Sequence, residues 1–113
     1  MSVKNLYRIS FVTQGQIYEI YATSISQGDL FGFVCIEGIT FDTTSSVVVD
    51  PSEEKLKLEF EGVERTFIPI HSILRVDSVI KQGTAKISPI PKDGQNNTIP
   101  FSIYQKNHAK KND

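Results

Sequence analysis

Tyr7, Ile9 and Phe11 alternate with Arg8 and Ser10, and past Gln14-Gly15-Gln16 the alternation resumes with Tyr18, Ile20 and Ala22. A period of two on both sides of a short glycine-containing connection predicts a β-hairpin. Ser26-Gln27-Gly28-Asp29 has turn composition. A third strand is predicted over residues 31–41, apolar on both faces apart from Glu37, with Gly32 and Gly38 marking bulges or bends of the kind a curling sheet uses. Residues 42–45 read as a loop, and Val47, Val48 and Val49 as a short β-branched strand that stops at Asp50-Pro51.

Asp50 as N-cap, Pro51 at the first helical position and Glu53 three residues after the cap form a helix start. The residues after it fit two periods. Leu56, Phe60 and Val63 lie at i, i+4 and i+7 of a helix, while Leu56, Leu58 and Phe60 alternate as a strand would. The cap, the Glu-Glu-Lys start and Gly62 as a stop agree on a helix over 51–61. Strands are predicted over 63–70, with Pro69 near the end or on an edge, and over 73–79, with Ile73 and Leu74 as the positions to be buried.

From Lys81 onward the pattern thins into Gly83, Pro89, Pro91, Gly94 and Gln95-Asn96-Asn97, and the chain ends on a polar, lysine-containing stretch. The organisation expected is one compact domain over 1–90 and a flexible tail over 91–113. Inside that tail the apolar hexamer 99–104, Ile-Pro-Phe-Ser-Ile-Tyr, is suited to docking as an added strand on this domain or on a partner. The fold class is mainly β (β-rich α+β): a small, strongly bent sheet or an SH3/Sm-like barrel of about five strands with one short helix. Likeness to Sm-like barrels rests on the strand count and on Gly62, Ile68-Pro69 and Ile73, and brings no RNA-binding residues with it.

A length of 113 residues suffices for a hydrophobic core without metal or disulfide staples. Lys plus Arg number 12 and Asp plus Glu 13, a formal charge of −1, so no global field holds a polyanion. The single cysteine, Cys35 in Gly-Phe-Val-Cys-Ile-Glu-Gly, is expected in a strand as a small buried hydrophobe, which fits a reducing compartment. Residues 1–25 hold no apolar run of signal-peptide length, and nowhere do eighteen apolar residues follow one another. The expectation is a cytoplasmic protein without membrane segments.

Candidate chemistry is sparse. His71, Arg75 and Asp77 lie within seven residues, which suggests a general acid or base. No Ser, Cys or Asp is placed by a motif to complete a nucleophilic site, and a histidine bonded to a neighbouring carbonyl explains the position as well. Asp50, Ser52, Glu53 and Glu54 have the oxygens a hard cation takes, yet a helix N-terminus prefers the same residues for its dipole. Lys55, Lys57, Arg65, Arg75 and Lys81, with Tyr7, Tyr18, Tyr21, Phe31 or Phe33 as stacking faces, would make a nucleic-acid surface, but Glu53, Glu54, Glu59, Glu61 and Glu64 are interleaved with those cations. No phosphate loop surrounds Gly28 and Gly32. No cofactor is implied.

The segments Asn-Leu-Tyr-Arg-Ile-Ser-Phe from Asn5, VVDPSEEKL from Val48 and IPxHSIxRxD from Ile68 resemble those of a family of small bacterial proteins of unknown function. The resemblance implies a cytoplasmic, single-domain bacterial protein and supplies no catalytic residue, cofactor or partner. The reading that follows is a non-enzymatic binding or adaptor module whose partner is another protein or a second copy. Its candidate contact residues are those a core does not need: Glu53, Glu54, Lys57, Arg65, His71, Arg75 and Asp77. The alternative is an Sm-like RNA-binding regulator, and the third reading is an enzyme using His71.

Overall fold

The hairpin expected at the start of the chain is present in the computed structural model, which describes residues 5–42 and 51–91. Strand β1 (Tyr7–Thr13) turns through Gln14 and Gly15, both at positive φ (53° and 74°), into β2 (Gln16–Ser26). A two-residue loop with both residues at positive φ matches the right-handed twist of its strands, and Thr13 pairs Gln16. The third strand, β3 (Phe33–Thr40), is shorter than the predicted 31–41. Helix α1 (Pro51–Glu59) is followed by β4 (Arg65–Pro69), a 3₁₀ turn (Ile70–Ser72), β5 (Ile73–Ser78) and β6 (Lys86–Pro89). The valine strand at 47–49, the Asp50 cap and the tail hexamer lie outside the described residues.

All pairings among the described strands are antiparallel, and five strands follow the order β4-β3-β2-β1-β5 while β6 pairs β2 off that path. Along the edge of β2 away from β1, β6 pairs its first residues, from Gln16 to Glu19, and β3 pairs its last, from Tyr21 to Ser26. In a flat sheet the two end strands would lie about 19 Å apart, four strand spacings. They are joined by a 3₁₀ turn of three residues, which advances only about 2 Å per residue. The sheet must therefore curl until β4 and β5 approach one another. Of the two forms expected, this is the strongly bent, unclosed sheet, since the described strands include no β4–β5 pairing. Gly38 supplies one bend. It holds φ +70° within β3 although the register on either side of it, Ala22 with Ile39 and Ser24 with Glu37, does not slip.

The concave side is the core: Ile9, Phe11, Ile20, Ala22 and Ile36 from three adjacent strands, with Ile68, Ala85 and helix residue Leu56. Phe11 and Tyr18 pack with ring centroids 5.6 Å apart at 47°. Ile73 packs against this core half-buried, and Leu74 is also half-buried. The helix settles which period governs its segment. A strand would have buried Leu56, Leu58 and Phe60 together, whereas Leu56 is fully buried, Phe60 partly, and Leu58 is 72% exposed. The helix also ends earlier than the predicted 61, because the Glu61 N–H bonds the carbonyl of Leu58 and the chain reverses at Gly62, φ +79°.

Strand β6 falls where the sequence pattern thins. Only Ile87 of its four residues is a non-proline hydrophobe, so no alternation marks it. It is held by β2 and by α1: the Ser52 hydroxyl donates to the Ile87 carbonyl (3.4 Å) and the Ala85 N–H donates to Glu53 Oε2 (3.2 Å). To reach β6 from β5 the chain crosses the convex face of β1 and β2. There Gly83 passes directly over the Tyr21 hydroxyl, and the Thr40 hydroxyl donates to Gln82 Oε1 (2.7 Å). Tyr21 is thereby buried on the side of β2 opposite the core.

Candidate protein-recognition surface

The loop between β2 and β3 is built by its two glycines. Gly28, at φ +65°, packs so closely on Cys35 that a Cβ there would come within 2.9 Å of the cysteine Cβ, which folds the loop back on β3. Gly32 takes φ +81°, a conformation that L side chains disfavour. The Phe33 N–H bonds the Leu30 carbonyl (3.1 Å), and the Ile70 N–H of the 3₁₀ turn bonds the Gly32 carbonyl (2.8 Å). Two backbone hydrogen bonds thus fix the tip of the loop and fasten it to the turn.

What the tip presents is apolar. Phe31 is 100% exposed, Leu30 47% and Ile70 44%. With Phe33, Asp29 and His71 they line a cleft of about 480 Å³. Among the described residues the lining contains no Lys or Arg. Among the described residues, no hydrogen bond or ion pair engages the side chain of Asp29 or His71. An exposed cluster of large apolar side chains on a fixed backbone suits association with another apolar surface, and loop ordering has already been met in the free molecule.

The charged candidates are distributed over four elements. Glu53 is turned inward to the Ala85 N–H, a structural use. Glu54 and Lys57 pair at 3.5 Å on the exposed side of α1. Arg65 faces Glu37 across the β3–β4 register and pairs with it at 2.8 Å, and Glu64 lies at 4.0 Å. The hydrogen bond to Glu37 holds the Arg65 pKa above its ordinary value. On β1 and β5, Arg8 and Asp77 are register partners at 2.7 Å, and Arg75 Nε reaches the same carboxylate at 3.1 Å. The Arg8 hydrogen bond, with help from Arg75, keeps the Asp77 carboxyl below the usual carboxylate range against the opposing effect of desolvation. Only His71 of the seven lines the apolar cleft.

A second cluster joins the hairpin to the helix. The Tyr18 hydroxyl donates to Glu59 Oε1 (3.0 Å), and Gln14 Nε2 reaches both the Tyr18 oxygen (3.3 Å) and Glu59 Oε2 (3.4 Å). Burial first, then the bond to Glu59, pushes the Tyr18 pKa up. Among the described residues no three His, Cys, Asp or Glu side chains gather as a metal site needs, and no helix is long and apolar enough to cross a membrane.

Sequence reading named Phe31 as a possible stacking face but placed it in a strand, and it did not single out Leu30 or Ile70. The signal for the tip was present in Gly28-Asp29-Leu30-Phe31-Gly32: an apolar pair enclosed by glycines belongs to a turn, where nothing buries it. The profile of a family described as Domain of unknown function (DUF1820) matches residues 5–103. No curated protein and no solved structure matches the chain.

Proposed function

The chain belongs to the DUF1820 family, and on that premise we propose that it is a non-enzymatic binding module of the bacterial cytoplasm that recognises another protein through the Leu30, Phe31 and Ile70 cluster. The observation that carries this reading is Phe31, fully exposed on a loop whose backbone is already fixed. Large aromatic side chains at such positions dominate protein interfaces. Asp29 on the same rim, with no described ion-pair partner, favours a partner that brings an apolar socket edged by a cation. Among the described residues no Lys or Arg lines the cleft around the aromatic ring, which weighs against RNA, because stacking on single strands works together with cations that meet the phosphates.

Site-specific photocrosslinking in the native cytoplasm tests the reading. A photoreactive phenylalanine analogue replaces Phe31 in one sample and the exposed Leu58 of the helix in another. The expected result is a defined protein adduct from position 31, absent from position 58 and lost when Ile70→Ser is added. An RNA adduct, equal adducts from both positions, or adducts only with a second copy of the chain would each overturn the adaptor reading.

A further inference from the structure

The curl of the sheet leaves a gap on the side away from β2. Among the described residues no strand pairs with the outer edge of β4. Pairing of β1 with β5 ends at Phe11, so Val12 and Thr13 have no β5 partner. Between these two stretches of backbone lies a cleft of about 460 Å³, floored by Phe11, Phe60 and Ile68 and bordered by Val12 and Glu59. An unpaired strand edge above an apolar floor is a template for an added strand.

The sequence holds a candidate strand within reach of this place. Strand β6 ends at Pro89, opposite Gln16, and Gln16 lies opposite Thr13. Two strand spacings, about 10 Å, therefore separate the end of β6 from the gap. The linker 92–98 reaches roughly 23 Å when extended, more than twice that separation. In the hexamer that follows, Ile99, Phe101 and Ile103 alternate with Pro100, Ser102 and Tyr104, which gives a strand one wholly apolar face. Pro100 has no N–H to donate, as suits an outermost strand. The family profile continues through this stretch to Ile103 and stops there, so it takes in Ile99, Phe101 and Ile103 and leaves out Tyr104 and the polar end.

We propose that residues 99–104 lie along the outer edge of β4 in the same molecule, with Ile99, Phe101 and Ile103 over the cleft between β4 and β1. The segment then covers the edge that the curl leaves open and shields Phe60. This inference is independent of the recognition surface at Phe31.

Paramagnetic relaxation in the full chain tests it. Cys35→Ala removes the native thiol, Lys106→Cys carries a nitroxide, and the amides of isotope-labelled protein are followed. The expected result is a loss of peak intensity at Thr66, Phe67, Ile68, Val12 and Thr13, abolished by Phe101→Asp. Mixing labelled protein that lacks the nitroxide with unlabelled protein that carries it should produce no such loss. Loss centred on Phe31 or on β5, transfer of the effect between molecules, or its absence would overturn the proposal. Hydrogen exchange on the otherwise native chain gives a second readout: Thr66, Phe67 and Ile68 should exchange more slowly than in Phe101→Asp, and equal exchange would likewise overturn it.

Discussion

Gly38 shows how a single residue shapes this sheet. Its φ of +70° is open to glycine and disfavoured for any other common residue in a strand, and a Cβ at that position would collide with the Thr23 hydroxyl. Gly38→Ala should therefore destabilise the protein by at least about 1–2 kcal/mol. Chemical denaturation checks this, and a transition unmoved within error would mean that the bend relaxes without glycine. That Gly38 marks a bend was readable from an apolar run interrupted by glycine. Its partner in the collision was not, because Thr23 lies opposite only once β2 and β3 have paired.

Local signals carried further at the level of elements than distant ones. The hairpin, the helix start and the strand after Gly62 were legible because each depends on neighbours in sequence: alternation, a proline at the first helical position, a glycine stop. The helix extent was overestimated by two residues, since the last turn tightens at Glu61, and β6 was missed, since what holds it is β2 and a helix, each more than thirty positions away. Leu56 is the fully buried side chain of α1 and ties that helix to the core. Leu56→Ala removes that anchor and should cost about 2–5 kcal/mol, the range for truncating a buried leucine. A parallel loss of helical circular dichroism and of overall stability is expected. Loss of the helical signal alone, with the strands unchanged, would show that α1 is an accessory to the sheet.

Stability against pH belongs to the whole molecule, where one carboxylate links the first strand to the last of the sheet's path. Asp77 is stabilised in its charged form by Arg8 and Arg75, so its folded pKa lies below the unfolded value. The contribution is present in full above the unfolded pKa and is lost as pH falls through the folded one. Asp77→Asn should accordingly lower stability at neutral pH and flatten its decline in the acid range, measured by denaturant titration at several pH values. A variant whose profile runs parallel to the parent's would remove Asp77 from that role. The global order of the strands was not legible in the sequence at all: pairing of β1 with β5 joins residues some seventy positions apart, and no local pattern encodes it. Neither was the Leu30, Phe31 and Ile70 cluster as a unit, since its parts meet only when the turn after β4 comes back to the loop before β3. That turn, Ile70–Ser72, is also the connection between β4 and β5, the two ends of the strand order. A partner seated on Ile70 would therefore rest on the same three residues that bridge the open side of the sheet.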